Sequence, residues 1–186
     1  MVASVDGSSV LAGPSGGLSS DADRDVMLTL RALADVIIVG AGTVRSEGYG
    51  KPAKQGQRIG VVSRTGQVDT SSALFASGAG FLILPENAPA TKIESVRAGI
   101  DEIDLDAAIR LLPGAPRFVH AEGGPLLNAA LAAADLIDEM NLTISPQLIG
   151  GSGPRVVSQA PDLCTRLRLV HLLESEDFLF SRYIRL

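Results

Sequence analysis

Tryptophan is absent from this 186-residue chain, cysteine occurs once and histidine twice. The lone Cys164 excludes an intramolecular disulfide framework and fits a reducing compartment, so a cytoplasmic location is expected. Together with His120 and His171 it makes too small a donor set for a zinc site. A magnesium site built from carboxylates alone stays open, but no cluster of Asp and Glu recommends one. No apolar run approaches the roughly 20 residues of a membrane span. Met1-Val2-Ala3-Ser4-Val5-Asp6 lacks the basic start and long apolar core of a secretory signal. Basic blocks are missing and the net charge is −5, which argues against nucleic-acid partners. Also missing are the Gly-x-Ser-x-Gly elbow, the phosphate-loop Gly-Lys-Ser/Thr and the Cys-x-x-Cys pair. An enzyme with so few nucleophiles and metal ligands is expected to borrow its chemistry from an organic cofactor.

Apolar residues make up 46% of the chain, enough for one domain with a real core spanning residues 1–186. Twenty Gly and ten Pro punctuate short apolar runs, which reads as many turns and not low complexity. Val36-Ile37-Ile38-Val39, Ile59-Gly60-Val61-Val62, Phe81-Leu82-Ile83-Leu84 and Phe118-Val119 read as strands buried on both faces, as in a parallel sheet. Helices are expected over 21–34, 105–112 and 125–134. The first has Val26, Leu30 and Leu33 on one stripe, with Ser19 and Ser20 as candidate caps and three early aspartates facing its positive end. Pro113-Gly114 stops the second, and Pro125 suits the first turn of the third. Met140, Leu142 and Ile144 alternate with polar residues, predicting a strand with unlike faces. Residues 168–173 and 178–184 flank Glu174-Ser175-Glu176-Asp177 and read as a terminal antiparallel hairpin. The sum is an α/β fold: a mostly parallel central sheet flanked by helices, with a C-terminal antiparallel hairpin.

Three of the strand ends carry residues suited to a ligand, and ligands of open α/β sheets settle outside the strands' carboxyl ends. Gly40-Ala41-Gly42-Thr43 follows Val39, Ser63-Arg64-Thr65-Gly66 follows Val62, and Glu122-Gly123-Gly124-Pro125-Leu126-Leu127 follows the strand around Val119. A glycine pair between strand and helix lets backbone approach a bulky ligand, and the unpaired amides of the helix's first turn favour a phosphate. Gly40-Ala41-Gly42 alone is also an ordinary tight strand exit. A Ser-Arg pair suits a phosphate monoester, so the three turns together predict a phosphorylated dinucleotide. Glu122, beside the glycines, is expected to face a polar substrate.

Ser4-Val5-Asp6-Gly7, the run from Leu30 to Val44, Glu122-Gly123-Gly124-Pro125 and Asp138-Glu139 in this order resemble the reductase domain of riboflavin biosynthesis. That is the RibD C-terminal family, with a dihydrofolate-reductase-like fold, and the resemblance covers essentially the whole chain. It implies an NADPH-dependent reduction of the ribose of 5-amino-6-(5-phosphoribosylamino)uracil, with hydride delivered to C1′ of the opened, imine form. It implies that Ala3 lines the nicotinamide pocket, that Thr43 touches the cofactor at a helix-opening turn, and that Glu47 stands where relatives carry a cofactor-binding Asp. Ser63 and Arg64 match the contact to the 2′-phosphate. Gly123, Gly124, Pro125, Leu126 and Leu127 match the pyrophosphate loop, and Gly40 and Gly42 in the turn after Val39 are further candidate cofactor contacts. Arg31 and Glu122 match positions that hold substrate. Asp6 is the carboxylate best placed to fix or protonate a heterocycle. A homodimer is expected from the family, with the apolar hairpin as one candidate interface.

Relatives carry Asp-Asp-Pro-x-Leu and then an arginine for the substrate phosphate, whereas here the residues are Arg45-Ser46-Glu47-Gly48-Tyr49-Gly50. The zinc deaminase signature of the two-domain relatives is absent. The chain starts so near Ser4 that a short first strand and a missing upstream segment are expected. These departures point to a stand-alone reductase paralogue with a drifted substrate. Tyr49, in the divergent loop, is a candidate to stack on a substrate ring. Each assignment has a plainer rival: Arg31 pairing with Asp35 one turn on, Asp6 in a simple turn, Arg64 as a solvated cation, His120 packed in its strand. Two rival functions stay open as well, a pterin or dihydrofolate reductase and a nucleotide-binding module without chemistry.

Overall fold

The computed structural model describes residues 1–11 and 17–186, and these form two compact units, Thr29–Leu127 and Met1–Leu28 with Asn128–Leu186. In chain order the elements are β1 (Val2–Ser4), α1 (Asp21–Leu33), β2 (Val36–Gly40), α2 (Ala41–Glu47), β3 (Arg58–Val62), α3 (Ala73–Ala76), β4 (Gly80–Leu84) and β5 (Ser95–Arg97). They continue with α4 (Leu105–Arg110), β6 (Val119–Ala121), α5 (Pro125–Ala133), β7 (Glu139–Ser145), β8 (Leu167–Ser175) and β9 (Phe178–Arg185). No described helix is long and apolar enough to cross a membrane.

The unit Thr29–Leu127 is built on a five-stranded sheet in the order β5-β4-β3-β2-β6, with every neighbouring pair parallel. Its central strands are the continuous apolar runs of the sequence. Val36 to Val39, Ile59, Val61 and Phe81 to Leu84 are all buried, each side chain contributing about 1.5–3 kcal/mol. Ile37, Val39, Ile59, Val61, Leu82 and Leu84 pack with Leu74 and Phe75 of α3 into one core. Neither α3 nor β5 was expected: one is a single turn, and the other an edge strand of three half-buried residues with one apolar side chain. β6 begins at Val119 because Asp35 intercepts the residues before it. Its carboxylate accepts the amides of Arg117 at 2.9 Å and Phe118 at 3.0 Å.

The C-terminal end of α1 is closed by side chains from the turn before β3. The buried Gln57 donates from Nε2 to the carbonyls of Arg31 and Ala34 at 2.7 and 2.8 Å, and Lys54 Nζ donates to that of Ala34 at 2.8 Å. Helix-end carbonyls buried without such partners are destabilising by roughly 1–3 kcal/mol each. The turn carrying Arg31 is thereby fixed.

The other unit carries a four-stranded sheet, β1-β7-β9-β8, in which β1 runs parallel to β7 and the remaining pairs are antiparallel. The C-terminal hairpin therefore belongs to a second sheet, which also takes β1, and not to the parallel one. Its turn is Glu176-Asp177 at φ 53° and 67°. Two successive left-handed residues make the tight two-residue connection that matches strand twist, so Glu174 and Ser175 join β8. In β7 the buried positions are Thr143 and Ser145, while Met140, Leu142 and Ile144 are half-buried. Ser20 caps α1, its hydroxyl accepting the Asp23 amide at 3.1 Å, as expected for a helix opening on aspartates.

Candidate active site at the end of the parallel sheet

Within the parallel sheet the chain runs from β2 out to β5 on one side and returns to place β6 on the other side of β2. The strand order reverses between β2 and β6, and the crevice outside the carboxyl ends at such a reversal is the preferred ligand site of open α/β sheets. Both strand ends carry glycine here. The Gly40 amide donates to the Gly123 carbonyl at 2.7 Å, and the Glu122 amide to the Ile38 carbonyl at 2.9 Å. Gly123 stands at φ 76° and the Gly123–Gly124 peptide is cis. A Cβ on Gly124 would lie 2.7 Å from the Thr43 hydroxyl oxygen, so any side chain at 124 displaces Thr43.

The remaining cradle residues contribute in different ways. Gly40 leaves ordinary room, 3.5 Å from a built Cβ to the Gly123 carbonyl. Gly42 and Thr43 lie inside the first turn of α2, whose N-cap is Gly40 without a side-chain cap. Glu47 ends that helix, exposed. Pro125 starts α5 and has no amide hydrogen, so Leu126 and Leu127 supply the first free N–H groups. The Leu127 side chain is buried and that of Leu126 exposed.

Arg31, Tyr49 and Glu122, read separately as substrate residues, meet in one cluster. Arg31 grips the Glu122 carboxylate with both edges of its guanidinium, Nε to Oε1 at 2.6 Å and Nη2 to Oε2 at 2.7 Å. Tyr49 donates its hydroxyl to Oε2 at 2.6 Å. The Glu122 side chain is 5% exposed and that of Arg31 29%. The carboxylate beside it pushes Arg31 further above its usual range despite burial. Burial first, then Glu122, pushes the Tyr49 phenol well up. His120 Nε2 lies 3.8 Å from Oε1, outside hydrogen-bond reach, and burial pushes its imidazole down towards the neutral form. The expected i,i+4 partner of Arg31 is displaced: Asp35 is occupied by the amides before β6. Arg31 instead reaches across 91 residues.

Ser63 is buried and its Oγ accepts the Gly66 amide at 3.0 Å, closing the turn after β3. Arg64 projects outward, 3.5 Å from Glu102 with both side chains mostly exposed, a pair worth little in water. Beside it opens a cleft of about 540 Å³ lined by Arg64, Thr65, Gln67, Asn87, Pro89 and Asp101, among others. That volume lies within the usual range of ligand sites. Its residues after β4 were missed from the sequence, although Pro85-Glu86-Asn87-Ala88-Pro89 follows a strand end as the three recognised turns do.

Ala3 and Asp6 lie in the other unit. Ala3 is buried in β1 opposite Ile144 of β7. Asp6 anchors a loop: its carboxylate accepts the Ser4 hydroxyl and the amides of Ile149 and Gly150. Those donors hold its carboxyl down at about 2. No group of three or more His, Cys, Asp and Glu among the described residues is placed to hold a metal.

Residues 1–178 match the family model of the RibD C-terminal domain. A pyrimidine reductase-like protein from Corynebacterium diphtheriae is 26% identical, with a TM-score of 0.85 over 100% of this chain and 89% of its own. RibD from Acinetobacter baumannii has the same fold at 17% identity and TM-score 0.82; the match covers 100% of this chain and 56% of that longer one. The riboflavin biosynthesis reductase Rib7 of Saccharomyces cerevisiae shares it at 18% identity and TM-score 0.73, over 100% of this chain and 87% of that one. No curated protein matches the chain. With its family model matched nearly end to end, and a parallel sheet whose reversal point carries the paired glycines, the chain belongs to the RibD C-terminal domain family, the riboflavin-pathway pyrimidine reductase family of dihydrofolate-reductase-like fold.

Proposed function

We propose that this protein is an NADPH-dependent reductase acting on 5-amino-6-(5-phosphoribosylamino)uracil or a related ribosylaminopyrimidine, at ribose C1′. The observation that carries this reading is the glycine-lined junction of β2 and β6, where a side chain at 124 would strike Thr43. Backbone bare of side chains at that junction, beside the first amides of α5, suits a diphosphate. Bound there, NADPH supplies the hydride. Gly123, Gly124, Pro125 and the amides of Leu126 and Leu127 hold the diphosphate with Thr43, next to Gly40 and Gly42. Ala3 keeps its assignment to the nicotinamide and Glu47 to the cofactor through the family resemblance. The cleft beside Arg64 takes the adenosine end. Arg31 and Glu122 bind substrate, and the protein's contribution is orientation.

Arg64 exchanges its loose pairing with Glu102 for the 2′-phosphate. Arg64→Ala is therefore expected to reduce the preference for NADPH over NADH by about tenfold, the worth of one charge-assisted contact. Dissociation constants for both cofactors check this, and an unaltered ratio places the 2′-phosphate elsewhere.

The reading is tested by following NADPH oxidation with 5-amino-6-(5-phosphoribosylamino)uracil and, separately, with dihydrofolate. Turnover of the pyrimidine supports it. Turnover of dihydrofolate alone makes the protein a pterin reductase, and cofactor binding without turnover of either makes it a nucleotide-binding module.

We also propose a homodimer through the C-terminal hairpin. All nine residues of β8 are exposed, Leu172 and Leu173 at 55% and 62%. Nine exposed residues on a sheet edge with leucines on both faces invite a second copy. Sedimentation is expected to give a dimer that Leu173→Lys converts to monomer; a wild-type monomer contradicts the assignment.

A further inference from the structure

The geometry points to Tyr49 as a positioning residue: with Arg31 it fills all but one of the acceptor positions of Glu122 and leaves that one, on Oε1, for a single hydrogen-bond donor of the heterocycle. This rests on the assignment of Glu122 to substrate made above. A carboxylate offers about four acceptor positions. Oε2 takes Arg31 Nη2 and the Tyr49 hydroxyl, and Oε1 takes Arg31 Nε alone. His120, at 3.8 Å from Oε1, does not fill the remaining place.

Tyr49 is held for this task and not for stacking. The Arg31 guanidinium lies over its ring, 5.4 Å from the centroid, so one face is covered. The ring also packs against the apolar core of the parallel sheet. Gly48, at φ 65°, turns the chain after α2 so that the next side chain points inward. A carboxylate gripped from two sides keeps its free lone pair in one direction, which is what recognition of one donor requires.

Two measurements decide the matter. The groups facing the Tyr49 phenol are Glu122, Arg31 and Glu47, with His120 beyond Glu122. Removing the carboxylate charge in Glu122→Gln lets Tyr49 ionise at lower pH than in the wild type, seen by ultraviolet difference titration with Tyr49→Phe as the blank. The same titration in both overturns the coupling, and this readout needs no activity.

In Tyr49→Phe the KM for 5-amino-6-(5-phosphoribosylamino)uracil is expected to rise about tenfold, for one lost hydrogen bond to a charged group. The fall in kcat is smaller than that rise, and NADPH affinity is unchanged. Calorimetric binding of the same pyrimidine to NADP⁺-loaded protein gives the same tenfold loss without turnover. Unchanged pyrimidine affinity in Tyr49→Phe makes Tyr49 a structural brace only and overturns the inference. A wild-type protein that binds NADPH but no pyrimidine sinks the functional reading instead, while the tyrosine titration still reports on the coupling.

Discussion

Gly124→Asp is expected to weaken NADPH binding by about a hundredfold, near 3 kcal/mol. Two effects add in the same direction. The new Cβ would stand 2.7 Å from the Thr43 hydroxyl oxygen, so Thr43 must turn out of its place at the start of α2. The carboxylate beyond that Cβ then sits at the mouth of α5, where the unpaired amides favour a bound anion and where an aspartate competes with a diphosphate for them. Gly124→Ala separates the two contributions. It keeps the steric conflict without the charge, so its loss is expected to be the smaller one. Fluorescence titration of NADPH measures both, with the far-ultraviolet spectrum as a check on folding. Wild-type affinity in Gly124→Asp removes the cradle from the junction of β2 and β6.

Arg31→Met is the second large effect, and it falls on stability as well as on substrate. The variant leaves the Glu122 carboxylate, 5% exposed, without its cationic partner. Breaking a buried pair from one side is destabilising by about 3–5 kcal/mol because the remaining charge is uncompensated. The Tyr49 hydroxyl still donates to Oε2, and Arg31 itself is 29% exposed, which favours the lower end of that range. For a chain of this size about 3 kcal/mol lowers the unfolding midpoint by roughly 6–12 °C. Arg31→Met combined with Glu122→Leu removes both charges and is expected to recover most of the loss. Calorimetry of the three proteins checks the cycle. A single variant as stable as the wild type means that the pair contributes nothing, and Glu122 is then a weakly held residue. On the proposed assignment of Arg31 and Glu122 to substrate, pyrimidine binding is expected to be lost in the single and the double variant alike, since both lack the oriented acceptor.

What could be read from the sequence divides along a physical line. The runs around Ile37, Val61 and Leu82 are apolar on both faces, a pattern that suits a strand covered on both sides, and they form the centre of the sheet. The Ser20 cap and the aspartates after it declare a helix start within four residues. The glycine turns after Val39 and Ala121 are also local signals, and they fall at the one reversal of strand order in that sheet. Features decided by distant partners were not visible. Tyr49 was read as a ring for stacking, because nothing near it in sequence shows that its hydroxyl bonds a carboxylate 73 residues away. Arg31 was offered Asp35, its neighbour one helical turn on, while the fold gives Asp35 to the backbone before β6 and Arg31 to Glu122. Gln57, which holds the end of α1, carries no sequence signature at all. Asp6, offered as the carboxylate best placed to fix or protonate a heterocycle or else as a turn residue, accepts the amides of Ile149 and Gly150, partners that nothing near it in sequence shows.

The measurement that bears most directly on the central claim is an equilibrium titration of the intact protein with NADPH, read by nicotinamide fluorescence and repeated with Gly124→Asp. Saturable binding to the wild type, weakened about a hundredfold in the variant, is the result predicted for a diphosphate cradle at the ends of β2 and β6. No saturable binding to the folded wild type, or equal binding to both proteins, contradicts it.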